Sequence, residues 1–345
     1  MHTPRRVLPA LAVATALALT ASACSSDAEP QADGLRVVAS TTQVADITRN
    51  ITGDIAELTQ LLDPGASAHT FDPTPAALQA LAVADVLVVN GAGLEEWLEP
   101  AIASSGFDGE IIDASTSVEL IAIADDEHDE HDEHDEHDEH DHDHDDHDHD
   151  HDHGDHDPHI WTDPASATAM TETIADGLAA HDADNADAYA ANAADYLDRL
   201  ETLQAWMADA FELVPSADRL LVTNHDTFRY LARAYDITVV GSVLPSFDDN
   251  AEVSAAAIDQ LVADIRAAGV RAVFSEAQLS PAVAETIASE AGVEVYSGED
   301  ALFTDSLGMP GTLGETYIGS QIHNTTLMVE AWGRSDAPEL PEALR

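Results

Sequence analysis

Residues 186–213 read ADAYAANAADYLDRLETLQAWMADAFEL, a run of 28 residues without Gly or Pro that Pro215 then brings to a stop. At 1.5 Å per residue this predicts one unbroken helix of about 42 Å, long enough to run the height of a two-lobed protein. On both sides of it the chain alternates between short apolar runs and helical periodicity. Before it, strands are expected at 35–41 (LRVVAST), 57–62, 85–90 (DVLVVN) and 110–113, with helices at 43–51, 76–83, 94–103 and 165–180. Thr74-Pro75 supplies an N-cap and a proline at the first helical position. After it, strands are expected at 219–223, 237–243, 270–275 and 293–296, with helices at 227–234, 253–268, 281–290 and 314–331. Strands that are apolar throughout and alternate with helices indicate parallel sheets covered on both faces. The expected fold is α/β: two (β/α) lobes of similar build, with parallel sheets, joined by one long helix.

Around this frame the composition is strongly acidic. Lys and Arg number 12 against 67 Asp and Glu, a formal charge of −55. Such a balance excludes nucleic acid as a partner and suits a chain that attracts cations. At the N-terminus, Arg5 and Arg6 precede a short apolar stretch, Val7 to Thr20, and then Ala21-Ser22-Ala23-Cys24. This reads as an export signal, too short for a comfortable membrane span. Cys24 is the only cysteine, so it has no internal disulfide partner. Its place directly after the apolar stretch makes it the expected site of lipid attachment; an ordinary secretory signal is the alternative, and both export the chain. The organisation expected is a signal at 1–23, a lipidated Cys and flexible tether at 24–34, an N-terminal lobe at 35–183, the linking helix at 184–214 and a C-terminal lobe at 215–345.

One segment, 125–157, cannot build a core. It holds 12 of the 18 His and 20 of the 67 acidic residues, with no Lys or Arg. His128, His131, His134, His137 and His140 recur every three residues; His142, His144, His147, His149, His151, His153 and His156 follow, mostly every two. Imidazole and carboxylate are ligands for divalent transition metals. Mutual repulsion of the acids predicts disorder without metal. The tract reads as an accessory that binds several ions weakly; a solubilising insert is the bland alternative.

Three further His, His69, His159 and His225, sit in loops at or just beyond strand ends, or in the segment just after the tract. Asp305 lies in the loop after the 293–296 strand. Ligands of open α/β sheets bind outside the carboxyl ends of strands. Three neutral imidazoles and one carboxylate form a tetrahedral set that suits Zn²⁺, whereas a carboxylate-richer set leans toward Mn²⁺. The four positions do not form a local motif, so their spacing alone is a weak signal. Asp226 and Glu276 are candidates to orient a ligand imidazole. Trp161 and Phe228 read as packing beside the site, and His181 and His323 as solvent-facing.

Flanking sequence adds to this. HTFDPTP (His69 to Pro75), GLEEWL (Gly93 to Leu98), DPHIWTDP (Asp157 to Pro164), NHDTFRYLA (Asn224 to Ala232) and TDSLG (Thr304 to Gly308) occur in that order. Together with the signal and the His-rich loop they resemble the zinc- and manganese-binding cluster of ABC-importer solute-binding lipoproteins, the zinc members most of all. The resemblance covers nearly the whole mature chain. It implies a metal site in the interlobe cleft with His69, His159, His225 and Asp305 as ligands. It further implies a role in capturing Zn²⁺ for an ABC permease and its ATPase, as a monomer on the outer face of the membrane. Manganese and iron members usually carry a carboxylate where this chain has His225. Two departures stand out: there is no second Cys for the disulfide of many zinc members, and Phe71-Asp72 replaces a common Tyr-Glu. The competing readings are the same role for Mn²⁺, a surface metal buffer or adhesin, and a zinc metalloenzyme. Against the last, Asp305 fills the position a catalytic water needs, and no GxSxG or HExxH is present.

Overall fold

The computed structural model describes residues 34–123, 156–244, 253–335 and 337–345. The expected signal, Cys24, the tether and the tract His from His128 to His153 lie outside the described residues. Among the described residues no helix is long and apolar enough to cross a membrane.

The first lobe is built on four parallel strands: β1 (Arg36–Ala39), β2 (Glu57–Gln60), β3 (Val86–Val89) and β4 (Glu110–Asp113), in the order β2-β1-β3-β4. The order follows from composition. RVVA and VLVV are buried almost throughout and occupy the centre, whereas ELTQ and EIID carry exposed polar positions and take the edges. Helices α1 (Thr42–Thr52), α2 (Pro75–Val83), α3 (Leu98–Ser105) and α4 (Pro164–His181) accompany this sheet. Thr41, Thr74 and Asp163 cap α1, α2 and α4, each accepting a first-turn backbone N–H.

Helix α3 begins four residues later than its apolar spacing suggests. Gly91, Ala92 and Gly93 all have positive φ (78°, 53° and 82°), and this left-handed stretch cannot enter a helix directly. The chain therefore wraps around the Glu95 carboxylate before the helix starts.

The long helix α5 spans Ala186–Glu212. Tyr189, Ala193, Tyr196, Leu200, Leu203, Met207 and Ala210 are its buried stripe, alternating four- and three-residue steps along one face. Fully burying each of the two leucines stabilises by about 1.5–3 kcal/mol. The helix packs on α4 and α1 of the first lobe and on α9 (Tyr317–Ala331) from the end of the chain.

In the second lobe, β5 (Leu220–Thr223) pairs in parallel with β6 (Thr238–Ser242), and β7 (Ala272–Phe274) with β8 (Glu294–Tyr296); β5 lies beside β7. Helices α6 (Arg229–Tyr235), α7 (Ala255–Ala268) and α8 (Ala282–Ala291) complete it. The lobes thus share the strand–helix alternation, but the described strands of the second form two short ladders rather than one four-stranded sheet. A satellite core of Val222, Val243, Ile265, Val273 and Ile287 lies between these strands, α7 and α8. The main core runs without interruption from the first sheet through α5 to α9.

Candidate metal centre

Each side chain of the site is delivered by a loop that has its own internal support. His69 follows β2 and the turn at Gly65 (φ 85°). Trp97 holds that loop: its indole N–H donates to the Ala68 carbonyl at 2.9 Å, and its ring meets Phe71 edge-on at 4.8 Å. His159 lies just before a short 3₁₀ turn, Ile160–Thr162. Asn90 donates to the Pro158 carbonyl at 3.0 Å, and Glu95 in turn accepts from the backbone N–H groups of Asn90 and Gly91. The GLEEWL segment is therefore the scaffold of both first-lobe loops. His225 follows β5, with Thr223 Oγ1 donating to its carbonyl at 2.7 Å, and Asp305 lies in the loop after β8.

These four residues converge. One ligand atom from each lies within 4.8 Å of all the others. Three imidazole Nε2 atoms face the Asp305 carboxylate, His225 at 3.1 Å, His69 at 3.5 Å and His159 at 3.7 Å. His69 Nε2 and His159 Nε2 are 3.1 Å apart. His159, His225 and Asp305 are fully buried, and His69 is mostly so.

Two of the imidazoles are held from behind by carboxylates. His159 Nδ1 lies 2.7 Å from Asp157 Oδ1, which also accepts the His159 backbone N–H at 2.9 Å. His225 Nδ1 lies 2.7 Å from Glu276 Oε2, and Glu276 Oε1 accepts the His225 backbone N–H at 2.8 Å. Such partners turn each Nε2 lone pair inward and raise its basicity. Thr304 Oγ1 donates to the same Glu276 Oε2 at 2.6 Å, tying the His225 support to the residue before Asp305.

Burial opposes charge here, yet charge wins. Burial pushes the Asp305 carboxyl up, but the imidazoles, His225 foremost, hold it well below the usual carboxylate range. Burial pushes His225 down, but Glu276 and then Asp305 raise it well above an ordinary imidazole. The Asp305 carboxylate is therefore held ionised despite its burial. Even so, both Asp305 oxygens are buried and neither accepts a hydrogen bond of normal geometry. Buried carboxylate oxygens in that condition are costly unless a cation meets them.

The remaining sequence-based expectations divide. Glu276 lies against the His225 ring, whereas Asp226 turns away and pairs with Arg229 at 2.6 Å. Adjacent residues project in different directions, so a neighbour of His225 in sequence is not a neighbour of its ring. Trp161 packs edge-on against the His159 ring at 5.4 Å, and Phe228 is core. His181 is exposed. His323 is not solvent-facing: it is half-buried, lies 2.9 Å from the Ala301 carbonyl through Nε2 and meets the Phe303 ring at a tilt, 4.8 Å between centroids, and burial lowers its pKa. Of the tract His, only His156 is described; it forms an isolated antiparallel bridge with Ala122. Asp157 was not singled out by sequence reasoning. Its signal was the Asp-Pro-His spacing, in which an Asp side chain folds back onto the N–H two residues on.

A family model described as the zinc-uptake complex component A, periplasmic (ZnuA), matches residues 37–331. The chain belongs to this family. The chain is similar to the manganese-binding lipoprotein MntA of Halalkalibacterium halodurans, 28% identical over 316 residues, covering 91% of this chain and 94% of the relative. The iron-binding protein YfeA of Yersinia pestis is 28% identical over 304 residues, covering 88% of each. Among solved structures, the periplasmic zinc-binding protein TroA of Treponema pallidum superposes with a TM-score of 0.72 at 23% identity, covering 87% of this chain and all of TroA, a likeness of fold. As a ZnuA-family member the chain is a metal-binding substrate-binding protein of an ABC transporter and not an enzyme.

Proposed function

We propose that this protein captures Zn²⁺ outside the cell and delivers it to the permease and ATPase of an ABC importer, with His69, His159, His225 and Asp305 as the ligands. One observation carries the reading: one ligand atom from each of His69, His159, His225 and Asp305 lies within 4.8 Å of all the others, and the Asp305 carboxylate among them is buried. A tetrahedral ion with bonds of about 2.0–2.1 Å separates its ligand atoms by about 3.3 Å. His225 and His69 Nε2 lie 3.1 and 3.5 Å from Asp305 Oδ2, and His69 and His159 Nε2 lie 3.1 Å apart, all near that value. Three neutral imidazoles favour zinc over the harder manganese ion, and a fourth protein ligand suits holding an ion rather than activating water. Cys24 is the proposed lipid anchor, tested by metabolic lipid labelling of parent and Cys24→Ser protein; no difference between them refutes it. The 125–157 tract is the proposed accessory binder.

Manganese is the second reading, favoured by the names of relatives such as MntA. Affinity order cannot separate the two, because zinc outcompetes manganese at almost any nitrogen–oxygen site. Zinc titration of tract-deleted protein should show one tight site that is lost in His69→Ala, His159→Ala and His225→Ala. Tight binding that survives all three substitutions refutes the ligand set. Uptake of labelled metal by cells lacking the protein should be deficient for zinc; a deficit in manganese alone establishes the second reading.

A further inference from the structure

Asp305 belongs to the second lobe in sequence, but the loop that carries it is gripped by two adjacent residues of the first. Gln43 Nε2 donates to the Thr304 carbonyl at 2.6 Å, on one side of Asp305. Thr42 Oγ1 accepts the Leu307 backbone N–H at 2.9 Å, on the other side. The two side chains are joined, with the Thr42 hydroxyl donating to Gln43 Oε1 at 2.9 Å. That bond fixes which end of the Gln43 amide faces Thr304, since its oxygen is already engaged. Trp161, also from the first lobe, adds a second donor to the Thr304 carbonyl at 3.0 Å. Thr42 and Gln43 are almost completely buried, so water does not compete for these bonds.

Both residues sit in the first turn of α1, directly after its N-cap Thr41, and helix geometry therefore sets their position. We infer that Thr42 and Gln43 are positioning residues that hold the 304–307 loop and so aim the Asp305 carboxylate at the metal. The inference rests on Asp305 being a ligand. Its consequence is that contact between the lobes at α1 helps to hold the fourth donor of the site in place. A loop held at its Thr304 carbonyl and Leu307 amide has little freedom left between them, so Asp305 is presented ready-made. Loss of this contact loosens the Asp305 carboxylate first, while His69, His159 and His225 keep supports of their own, and three imidazoles form a weaker site from which the ion can depart.

A double-mutant cycle tests this in the full-length protein, with zinc affinity read by chelator competition and coordination by the visible spectrum of the Co²⁺ form. Gln43→Met and Thr42→Val should each weaken zinc binding about ten- to hundredfold, as loss of an outer support does at other metal sites, and diminish the four-coordinate cobalt band. Gln43→Glu, which keeps shape and the Thr42 bond but loses the donor, should do the same. Thr42→Ser keeps the hydroxyl and should behave like the parent. In an Asp305→Ala background none of these changes should weaken binding further. Equal losses in both backgrounds, or a lower melting temperature of metal-free protein with unchanged zinc affinity, overturn the inference. If Asp305→Ala alone leaves affinity and cobalt spectrum intact, the ligand assignment itself fails, and that result is visible before either clamp residue is altered.

Discussion

A buried imidazole is a good ligand only when its other nitrogen is held, and here two carboxylates do this for His159 and His225 at the same 2.7 Å distance. Each also takes the backbone N–H of the His it supports. Asp157→Asn and Glu276→Gln keep the shape but remove the charge that raises ligand basicity. Each should weaken zinc binding about ten- to hundredfold in a chelator competition, leaving the number of tight sites at one. Unchanged affinity in both variants would show that the carboxylates only pack. The two differ in how far they could be seen in the sequence. Glu276 ends an apolar strand and stands out as an acid. Asp157 is the last of 20 acids in the His-rich segment, and its neighbours hide it. Asp226 shows the opposite error, a residue beside a ligand in the chain whose side chain is already committed to Arg229.

At the level of elements, the strands and most helices were legible because apolar runs and helical spacing are local properties. The turn from β3 into α3 was not, because its shape depends on Glu95 and on what that side chain reaches. Glu95 accepts from Ser40 Oγ at 2.6 Å and from the Asn90 and Gly91 N–H groups, so it ties β1 to the loop that supports His159. Burial pushes its pKa up to about 7, against the pull of those three donors. An acid raised in the folded state keeps its proton where the unfolded chain has lost it. Between about pH 4.5 and 7 the unfolded state then binds fewer protons, and stability contributed by this group falls as pH rises. The loss across that window is on the order of 3 kcal/mol. Urea unfolding of metal-free parent and Glu95→Gln proteins measures it by difference, which removes the other carboxyls. The parent should lose stability relative to the variant as pH rises through this range, and a difference independent of pH would refute the shifted Glu95.

For the whole molecule, two lobes and a linking helix could be read from the order of elements, but the shared core and the grip of α1 on the Asp305 loop could not. Gln43 and Thr304 are 261 residues apart, and neither lies in a pattern that points to the other. Net charge is the opposite case, legible in full from composition. At −55 the molecule draws divalent cations toward itself over distances that salt shortens. Deleting residues 125–155 removes 19 of the 67 acids and 11 of the 18 His, and it leaves Asp157, Pro158 and His159 in place. Two roles for that segment give opposite kinetics. If it gathers zinc beside the cleft, the full chain loads faster at low salt than the deleted chain. If it sequesters zinc, deletion speeds loading. Trp161, edge-on to His159, offers a fluorescence signal local to the site. In stopped-flow mixing with zinc, the full chain's association rate should fall about tenfold or more between about 20 mM and 0.5 M salt. The deleted chain should start lower and fall less, and the two dissociation rates should agree because the four proposed ligands are the same. Faster loading after deletion, or equal rates at every salt concentration, would rule out the gathering role.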